Sequence, residues 1–124
     1  MQLENSKILV TGATGQLAYY VVSKLTPANT VHTMARFGAP GSVEKLEAIG
    51  AKCIKADYAT DDLSQLDDDY DYVLHFATYQ VPGGVDFEEA IRVNAVGTGK
   101  LMSRFRNVKA FFFSSTCSVY QPQG

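Results

Sequence analysis

Residues 8–18 read ILVTGATGQLA: an apolar run leads into a glycine-rich turn and then into an amphipathic segment. This order predicts a strand, a tight turn and a helix. Gly12 allows the tight turn, and Gly15 leaves space beside the backbone because it has no Cβ atom. The N–H groups at the start of the helix would face that space. The stretch therefore predicts a site for the pyrophosphate of a dinucleotide.

Strand and helix patterns alternate along the rest of the chain. Strands are predicted at Lys7–Thr11, Thr30–Ala35 and residues 52–56, 72–77 and 108–114. Helices are predicted at Gln16–Leu25 and residues 43–49 and 86–105, with at most two helical turns at 61–66. We therefore expect one partial Rossmann domain over residues 1–124: an α/β fold with a doubly wound parallel sheet in the strand order 3-2-1-4-5.

Within the first predicted helix, Leu17, Val21 and Leu25 recur at a spacing of four and form one apolar face. The second predicted helix is expected to end at Gly50, because glycine readily adopts the left-handed conformation that stops a helix. The longest helix places Leu101 and Phe105 on its inward stripe.

The amino-acid composition indicates which binding partners and which cellular location to expect. The net charge of −2, a pI near 5.6 and the lack of a Lys/Arg cluster argue against nucleic-acid binding. No apolar run has the length of a membrane span, and the polar start of the chain does not resemble a signal peptide. Cys53 and Cys117 do not form a secreted disulfide framework. We expect a cytoplasmic protein without a membrane segment. The acidic run at residues 67–69 predicts a solvated loop rather than a metal site.

Five motifs in order resemble those of one family. They are TGATGQLA at residues 11–18, Asp57 after the third strand, HFA at 75–77, NAVGT at 94–98 and FSSTCSVY at 113–120. On these motifs the chain resembles the extended short-chain dehydrogenase/reductases, the NAD(P)-dependent epimerase/dehydratase group. One departure is Ala18 in place of a third glycine, a position that governs close packing of the helix on the strand.

The resemblance implies a cofactor site at the ends of the strands. Asp57 would accept a hydrogen bond from the adenine amino group, with the Tyr58 backbone supporting the ring. Asn94 would bond the backbone of a neighbouring strand, and His75 would be a hydrogen-bonded residue near the cofactor rather than an acid or base. The cofactor-binding residues implied are Gly12, Thr14, Gly15, Gln16, Leu17, Arg36, Asp57, Tyr58, Phe76, Ala77, Thr78 and Asn94.

Arg36 bears on which dinucleotide is bound. An NAD-preferring site places Asp or Glu at the end of the second strand, where the carboxylate holds the ribose hydroxyls. Here the strand ends in Met34, Ala35 and Arg36, so a cation replaces the acid. A guanidinium suits the 2′-phosphate of NADP, and the sequence therefore favours NADP over NAD.

The resemblance also implies where catalysis would occur. Thr116 matches the hydroxyl residue that donates a hydrogen bond to the substrate oxygen during hydride transfer, with Ser114 and Ser115 as alternatives. The family's catalytic Tyr-x-x-x-Lys lies beyond the fifth strand and is not found there. The one such pattern, at residues 20–24, lies in the helix after the glycine turn. We therefore expect this polypeptide to be inactive alone.

Several roles stay open at this point. The chain can be the cofactor-binding part of an enzyme with a carbonyl or sugar-nucleotide substrate, a non-catalytic NAD(P)-binding regulatory or redox-sensing module, or a truncated product. The apolar residues 111–113 would leave surface bare around the fifth strand, so self-association is also expected.

Overall fold

The computed structural model describes residues 3–12, 16–35, 41–56, 63–76 and 96–113. The strands in these ranges are β1 (Lys7–Thr11), β2 (Thr30–Ala35), β3 (Lys52–Lys55), β4 (Tyr72–His75) and β5 (Ala110–Phe113). The helices are α1 (Gln16–Leu25), α2 (Ser42–Glu47) and α3 (Thr98–Arg104), with a 3₁₀ helix at Leu63–Gln65. None of these helices combines the length and the apolar composition that crossing a membrane requires.

The five strands form one parallel sheet in the order β3-β2-β1-β4-β5. This confirms the predicted strand order. Parallel neighbours need crossover connections, and the crossovers place helices on both faces of the sheet. β1 lies in the centre, with β2 on one side and β4 on the other.

The core has two parts, one on each face of the sheet. On one face Leu9, Met34 and Val73 pack with Leu101 and Phe105, so this face is covered by α3 and its trailing turn. The other face is covered by α1 and α2. Its buried residues are Ile8, Val10, Ala18, Val22, Val31, Leu46 and Ala51. The burial of Leu101 and Phe105 confirms their predicted place on the inward stripe.

The buried face of α1 differs from the prediction. Ala18 and Val22 are the buried residues of this helix, whereas Leu17 is 62% exposed. The buried face is therefore turned by one residue from the predicted stripe, of which Val21 and Leu25 are half-buried. The methyl side chain of Ala18 allows the helix to approach the sheet closely, which is the role expected where the family has its third glycine.

Gly50 ends α2 as predicted. It adopts a left-handed φ of 96°. In this conformation the Gly50 N–H donates to the Glu47 carbonyl at 3.0 Å, and the Ala51 N–H donates to the Leu46 carbonyl at 3.2 Å. These two bonds satisfy carbonyl groups that the end of a helix leaves open. The helix itself begins one residue earlier than predicted, at Ser42, and its last residue, Glu47, comes two residues before the predicted end at residue 49.

Other element bounds also differ. β5 begins at Ala110 rather than Val108, because the Val108 N–H bonds back to the Phe105 carbonyl in the turn that follows α3. β3 ends at Lys55 and β4 at His75, each earlier than predicted. The helical turns expected at 61–66 are represented by the short 3₁₀ helix. Residues 86–95, the start of the predicted long helix, lie outside the described residues.

Ion pairs occupy the amino ends of the strands. Lys7 Nζ lies 2.6 Å from an Asp67 oxygen and also bonds Asp69, so the acidic run is held against β1 while its side chains stay exposed. These carboxylates raise the pKa of Lys7. Beside these ion pairs, the Tyr70 hydroxyl and His32 Nδ1 are 2.7 Å apart in a buried contact. The loop before β4 is therefore fixed to the end of the sheet where the parallel strands begin, which we call the amino edge.

Candidate functional site

The carboxyl ends of the strands define one edge of the sheet. The chain runs from β1 through β2 to β3 on one side and then crosses back to β4 and β5 on the other side of β1, so the direction of the strand order reverses beside β1. In open parallel sheets a crevice forms at such a reversal. Ligands of open parallel sheets bind at such a crevice. At this edge the central strand β1 ends at Thr11, and its neighbours β2 and β4 end at Ala35 and His75.

The turn after β1 is built around Gly12. Its φ is 72°, in the left-handed region that costs a residue with a Cβ atom energy. Its N–H donates to the Met34 carbonyl of β2 at 3.3 Å. On the other side, the Phe76 N–H donates to the Thr11 carbonyl at 3.2 Å. The turn therefore leaves the sheet from a point held by both neighbouring strands.

The start of α1 fits the pyrophosphate predicted at this edge. Gln16 and Leu17 begin the helix and are exposed, so the first helical turn is open to a ligand. The first N–H groups of an α-helix have no partner within the helix, and these groups and the helix dipole favour an anion at a helix start. Gly12 puts no side chain into the turn. The residues present are thus compatible with a dinucleotide pyrophosphate.

A buried polar bridge lies next to this turn. His75 Nδ1 is 2.6 Å from Thr11 Oγ1, and His75 Nε2 is 2.9 Å from Thr98 Oγ1. The ring centroids of Phe111 and Phe113 are 6.1 Å and 5.5 Å from that of His75. The imidazole is fully buried, and burial lowers its pKa from 6.5 to about 4. His75 is therefore neutral at pH 7.

The sequence did not predict the participation of Thr11 and Thr98 in this bridge. Thr11 was expected as the last residue of the first strand and the start of the glycine turn, and Thr98 as part of a helix motif. A signal was present, however, because Thr11 and His75 both lie near the carboxyl ends of strands that the predicted order places side by side. In the structure they are register partners in neighbouring strands.

The structure brings four predicted cofactor residues to this edge: Gly12, Gln16, Leu17 and Phe76. Phe76 is half-buried, and its ring centroid lies 5.6 Å from that of Phe112. The remaining predicted site residues lie outside the described residues; they are Thr14, Gly15, Arg36, Asp57, Tyr58, Ala77, Thr78, Asn94 and Thr116.

The Tyr-x-x-x-Lys pattern at residues 20–24 lies on α1. Tyr20 is exposed, and Lys24 Nζ sits 5.3 Å from the centroid of its ring. Both residues therefore lie away from the face that Ala18 and Val22 pack on the sheet. The pattern forms a surface cation–π pair.

The opposite edge carries a polar cavity of about 610 Å³, lined by residues that include Lys7, Asn29 and Asp71. It lies at the amino ends of β1 and β2, one strand length from the glycine turn. In the described part of the chain, no three residues among His, Cys, Asp and Glu are grouped so as to hold a metal ion.

Comparisons with known proteins agree with this geometry. The model of the NAD dependent epimerase/dehydratase family matches residues 8–124. No match was found among curated proteins.

Among solved structures, the chain is similar to UDP-N-acetylglucosamine 4-epimerase from Methanobrevibacter ruminantium in complex with UDP-N-acetylmuramic acid. The identity is 29%, the TM-score is 0.81, and the match covers 95% of this chain and 40% of that one. It is also similar to UDP-glucuronic acid 4-epimerase from Bacillus cereus in complex with NAD. Here the identity is 31%, the TM-score 0.77, and the coverage 94% of this chain and 42% of that one.

ADP-L-glycero-D-manno-heptose-6-epimerase from Helicobacter pylori shares the fold, with 23% identity, a TM-score of 0.81 and coverage of 98% of this chain and 42% of that one. The chain thus spans about 40% of the length of these structures. The family model covers nearly all of the chain, including the glycine turn, β1 from Ile8 onward and the other four strands. The chain belongs to the NAD-dependent epimerase/dehydratase family.

Proposed function

We propose that the chain is the dinucleotide-binding part of an extended short-chain dehydrogenase/reductase, and that it binds NADP(H). The observation that carries the proposal is the left-handed Gly12 turn at the end of the central strand, beside the exposed start of α1. That arrangement offers backbone N–H groups to a diphosphate at the point where the strand order reverses.

Each part of the edge would hold a different part of the cofactor. Gly12, Thr14, Gly15, Gln16 and Leu17 would surround the pyrophosphate. On the β2–β3 side, Arg36, Asp57 and Tyr58 would hold the adenosine half. On the β4 side, the cofactor would meet Phe76, Ala77 and Thr78, with Asn94 keeping the adjoining helix in place. A bound nicotinamide supplies hydride transfer to or from a carbon atom of the substrate.

The preference for NADP is proposed from Arg36, which directly follows the last residue of β2. A charge-assisted hydrogen bond to a 2′-phosphate contributes about 1.5–3 kcal/mol. The Bacillus cereus epimerase is described in complex with NAD, so the proposed preference depends on this chain's own arginine.

We expect NADP(H) to bind at least several-fold more tightly than NAD(H), and Arg36→Ala to remove the difference. Calorimetric titration of both proteins with both cofactors measures it. Lys52→Ala is the matched control because it also removes one positive charge. Lys52 is exposed and is the first residue of β3, so it lies at the amino ends of the strands, whereas Arg36 follows the carboxyl end of β2. Equal affinities of the unaltered chain for the two cofactors would refute the preference.

For catalysis, we propose that the Thr116 hydroxyl donates a hydrogen bond to the substrate oxygen. The substrate proposed is a carbonyl compound or a sugar nucleotide, the latter because two of the similar structures are UDP-sugar 4-epimerases. In each of the epimerase, dehydratase and reductase reactions, a bound nicotinamide would take hydride from, or give hydride to, a carbon that bears oxygen. The proposed location is cytoplasmic.

A non-catalytic NAD(P)-binding regulatory or redox-sensing module is the second candidate. The observation that favours it is that the chain's Tyr-x-x-x-Lys pattern lies on the outer face of α1, where Lys24 packs on Tyr20. Without a positioned Tyr–Lys pair, the proton transfer that accompanies hydride transfer loses an acceleration of about 10²–10⁴-fold.

We expect the 124-residue polypeptide to bind cofactor, to consume no NADPH with a panel of carbonyl substrates, and to self-associate. Self-association is expected because Phe112 and Phe113 of β5 are 50% and 46% exposed. Spectrophotometric assay tests whether NADPH is consumed, and sedimentation velocity of the same sample tests self-association. Steady turnover by a monomer would contradict both expectations.

A further inference from the structure

His75 connects three elements that meet beside the glycine turn. It belongs to β4, one ring nitrogen contacts Thr11 at the end of β1, and the other contacts Thr98 at the start of α3. We infer that His75 is a positioning residue that transmits the placement of α3 to the glycine turn through its two threonine contacts. The consequence for cofactor binding rests on the proposed function, whereas the consequence for the turn does not.

The chemistry of a neutral imidazole makes the two contacts interdependent. One ring nitrogen carries a proton and donates, and the other accepts. If Nδ1 donates to the Thr11 hydroxyl, Nε2 accepts from the Thr98 hydroxyl; in the other tautomer both directions reverse. A change at Thr98 therefore changes what the ring offers to Thr11.

The surroundings prevent the ring from relaxing. Phe111 and Phe113 flank the imidazole from β5, and His75 is fully buried. Water has little access to replace a lost partner, and close packing leaves few alternative orientations for the ring. Removal of the Thr98 hydroxyl would therefore remove the 2.9 Å contact of His75 Nε2 and change the position of the ring relative to Thr11 Oγ1.

Thr11 is the residue from which the turn starts. Its carbonyl accepts from the Phe76 N–H at 3.2 Å, and the next N–H, that of Gly12, donates to the Met34 carbonyl at 3.3 Å. Both bonds are longer than the 2.6 Å contact between the Thr11 hydroxyl and the ring. Of these three hydrogen-bonding contacts at Thr11 and Gly12, the contact of the Thr11 hydroxyl with His75 is thus the shortest.

The test compares substitutions at two threonines in the full chain. Thr98→Val removes the hydroxyl with little change of shape, and Thr98→Ser keeps it. Thr33→Val is the matched control: Thr33 is fully buried in β2, and its hydroxyl donates to the Lys52 carbonyl at 3.3 Å, away from His75. If Thr98→Val does not fold, Thr98→Ala takes its place.

Two measurements separate the inference from the proposed function. In ¹⁵N NMR spectra, Thr98→Val should shift the His75 ring nitrogens and the Gly12 amide, while Thr98→Ser and Thr33→Val leave them near their original positions. In calorimetry, Thr98→Val should weaken NADPH binding about tenfold, and the other two variants should bind as the unaltered chain does.

The inference is overturned if the Gly12 amide is unmoved in Thr98→Val, or if Thr33→Val moves it equally. If the amide shifts as expected but the unaltered chain binds neither NADPH nor NADH, the positioning role stands and the proposed cofactor function fails. A shifted amide with unchanged NADPH affinity would overturn the claim that the bridge bears on the cofactor.

Discussion

Gly12→Val is expected to abolish dinucleotide binding, with an affinity loss of at least about 100-fold, or roughly 3 kcal/mol. The φ of 72° at Gly12 is a conformation that a β-branched residue adopts only with strain. A branched side chain would also fill the turn where the backbone must approach the pyrophosphate. Calorimetric titration with NADPH measures the loss, and circular dichroism verifies that the variant is folded.

Gly50→Val is the matched control for this prediction. Gly50 also has a left-handed φ, of 96°, and a Cβ atom there would lie 3.4 Å from Thr26 Cβ. Both variants should lose stability in urea denaturation because both strain the same kind of backbone. Only Gly12→Val should lose the cofactor, since Gly50 precedes β3 at the amino edge. A folded Gly12→Val protein that binds NADPH with unchanged affinity would remove the basis of the proposed function.

Acid is expected to destabilise the fold strongly through His75. Its pKa is lowered from 6.5 to about 4, so between these values the unfolded chain binds a proton that the folded chain does not. The stability from neutral His75 is therefore fully present above pH 6.5 and is lost as the pH falls toward 4. The loss is about 3 kcal/mol, since each pKa unit corresponds to about 1.36 kcal/mol.

Urea denaturation at several pH values between 7 and 4 tests this expectation. In His75→Gln the free energy of unfolding should depend less steeply on pH, because the variant cannot titrate at this position. His32→Gln is the comparison, since burial also lowers the pKa of His32 and its removal should leave the contribution of His75 in place. Asp67 also contributes stability that depends on pH, because Lys7 lowers the pKa of its carboxyl. That stability is lost only at a more acidic pH than the contribution of His75. Equal slopes for the unaltered chain and His75→Gln would contradict the prediction.

The sequence predicts most of the sheet correctly because its signals are local. β1, α1 and β2 occupy the predicted residues, since each apolar run is bounded by a glycine turn or by the break at Pro27. The strand order also follows from local alternation together with the handedness of crossovers. Gly50 is recognisable from sequence because the end of a helix depends on a single backbone conformation.

The features that the sequence did not predict depend on contacts between distant residues. The buried face of α1 is set by how closely Ala18 meets the sheet, so the spacing of Leu17, Val21 and Leu25 alone was misleading. The bridge at His75 requires residues 64 positions apart to become register partners. The binding roles of the predicted cofactor residues stay predictions, because position at an edge does not measure affinity.

The hydrogen bonds that fix residues 5 and 6 at the amino edge have a practical consequence for immobilising the protein. Asn5 donates its N–H to the Ala28 carbonyl at 2.7 Å, and the Ser6 N–H donates to Asn29 Oδ1 at 3.1 Å. The first part of the chain is thus anchored at the end of the sheet opposite the glycine turn. β1 separates the two ends by about 17 Å. A linker fused before Leu3 would therefore attach the protein to a sensor chip with the proposed cofactor site facing the flowing solution.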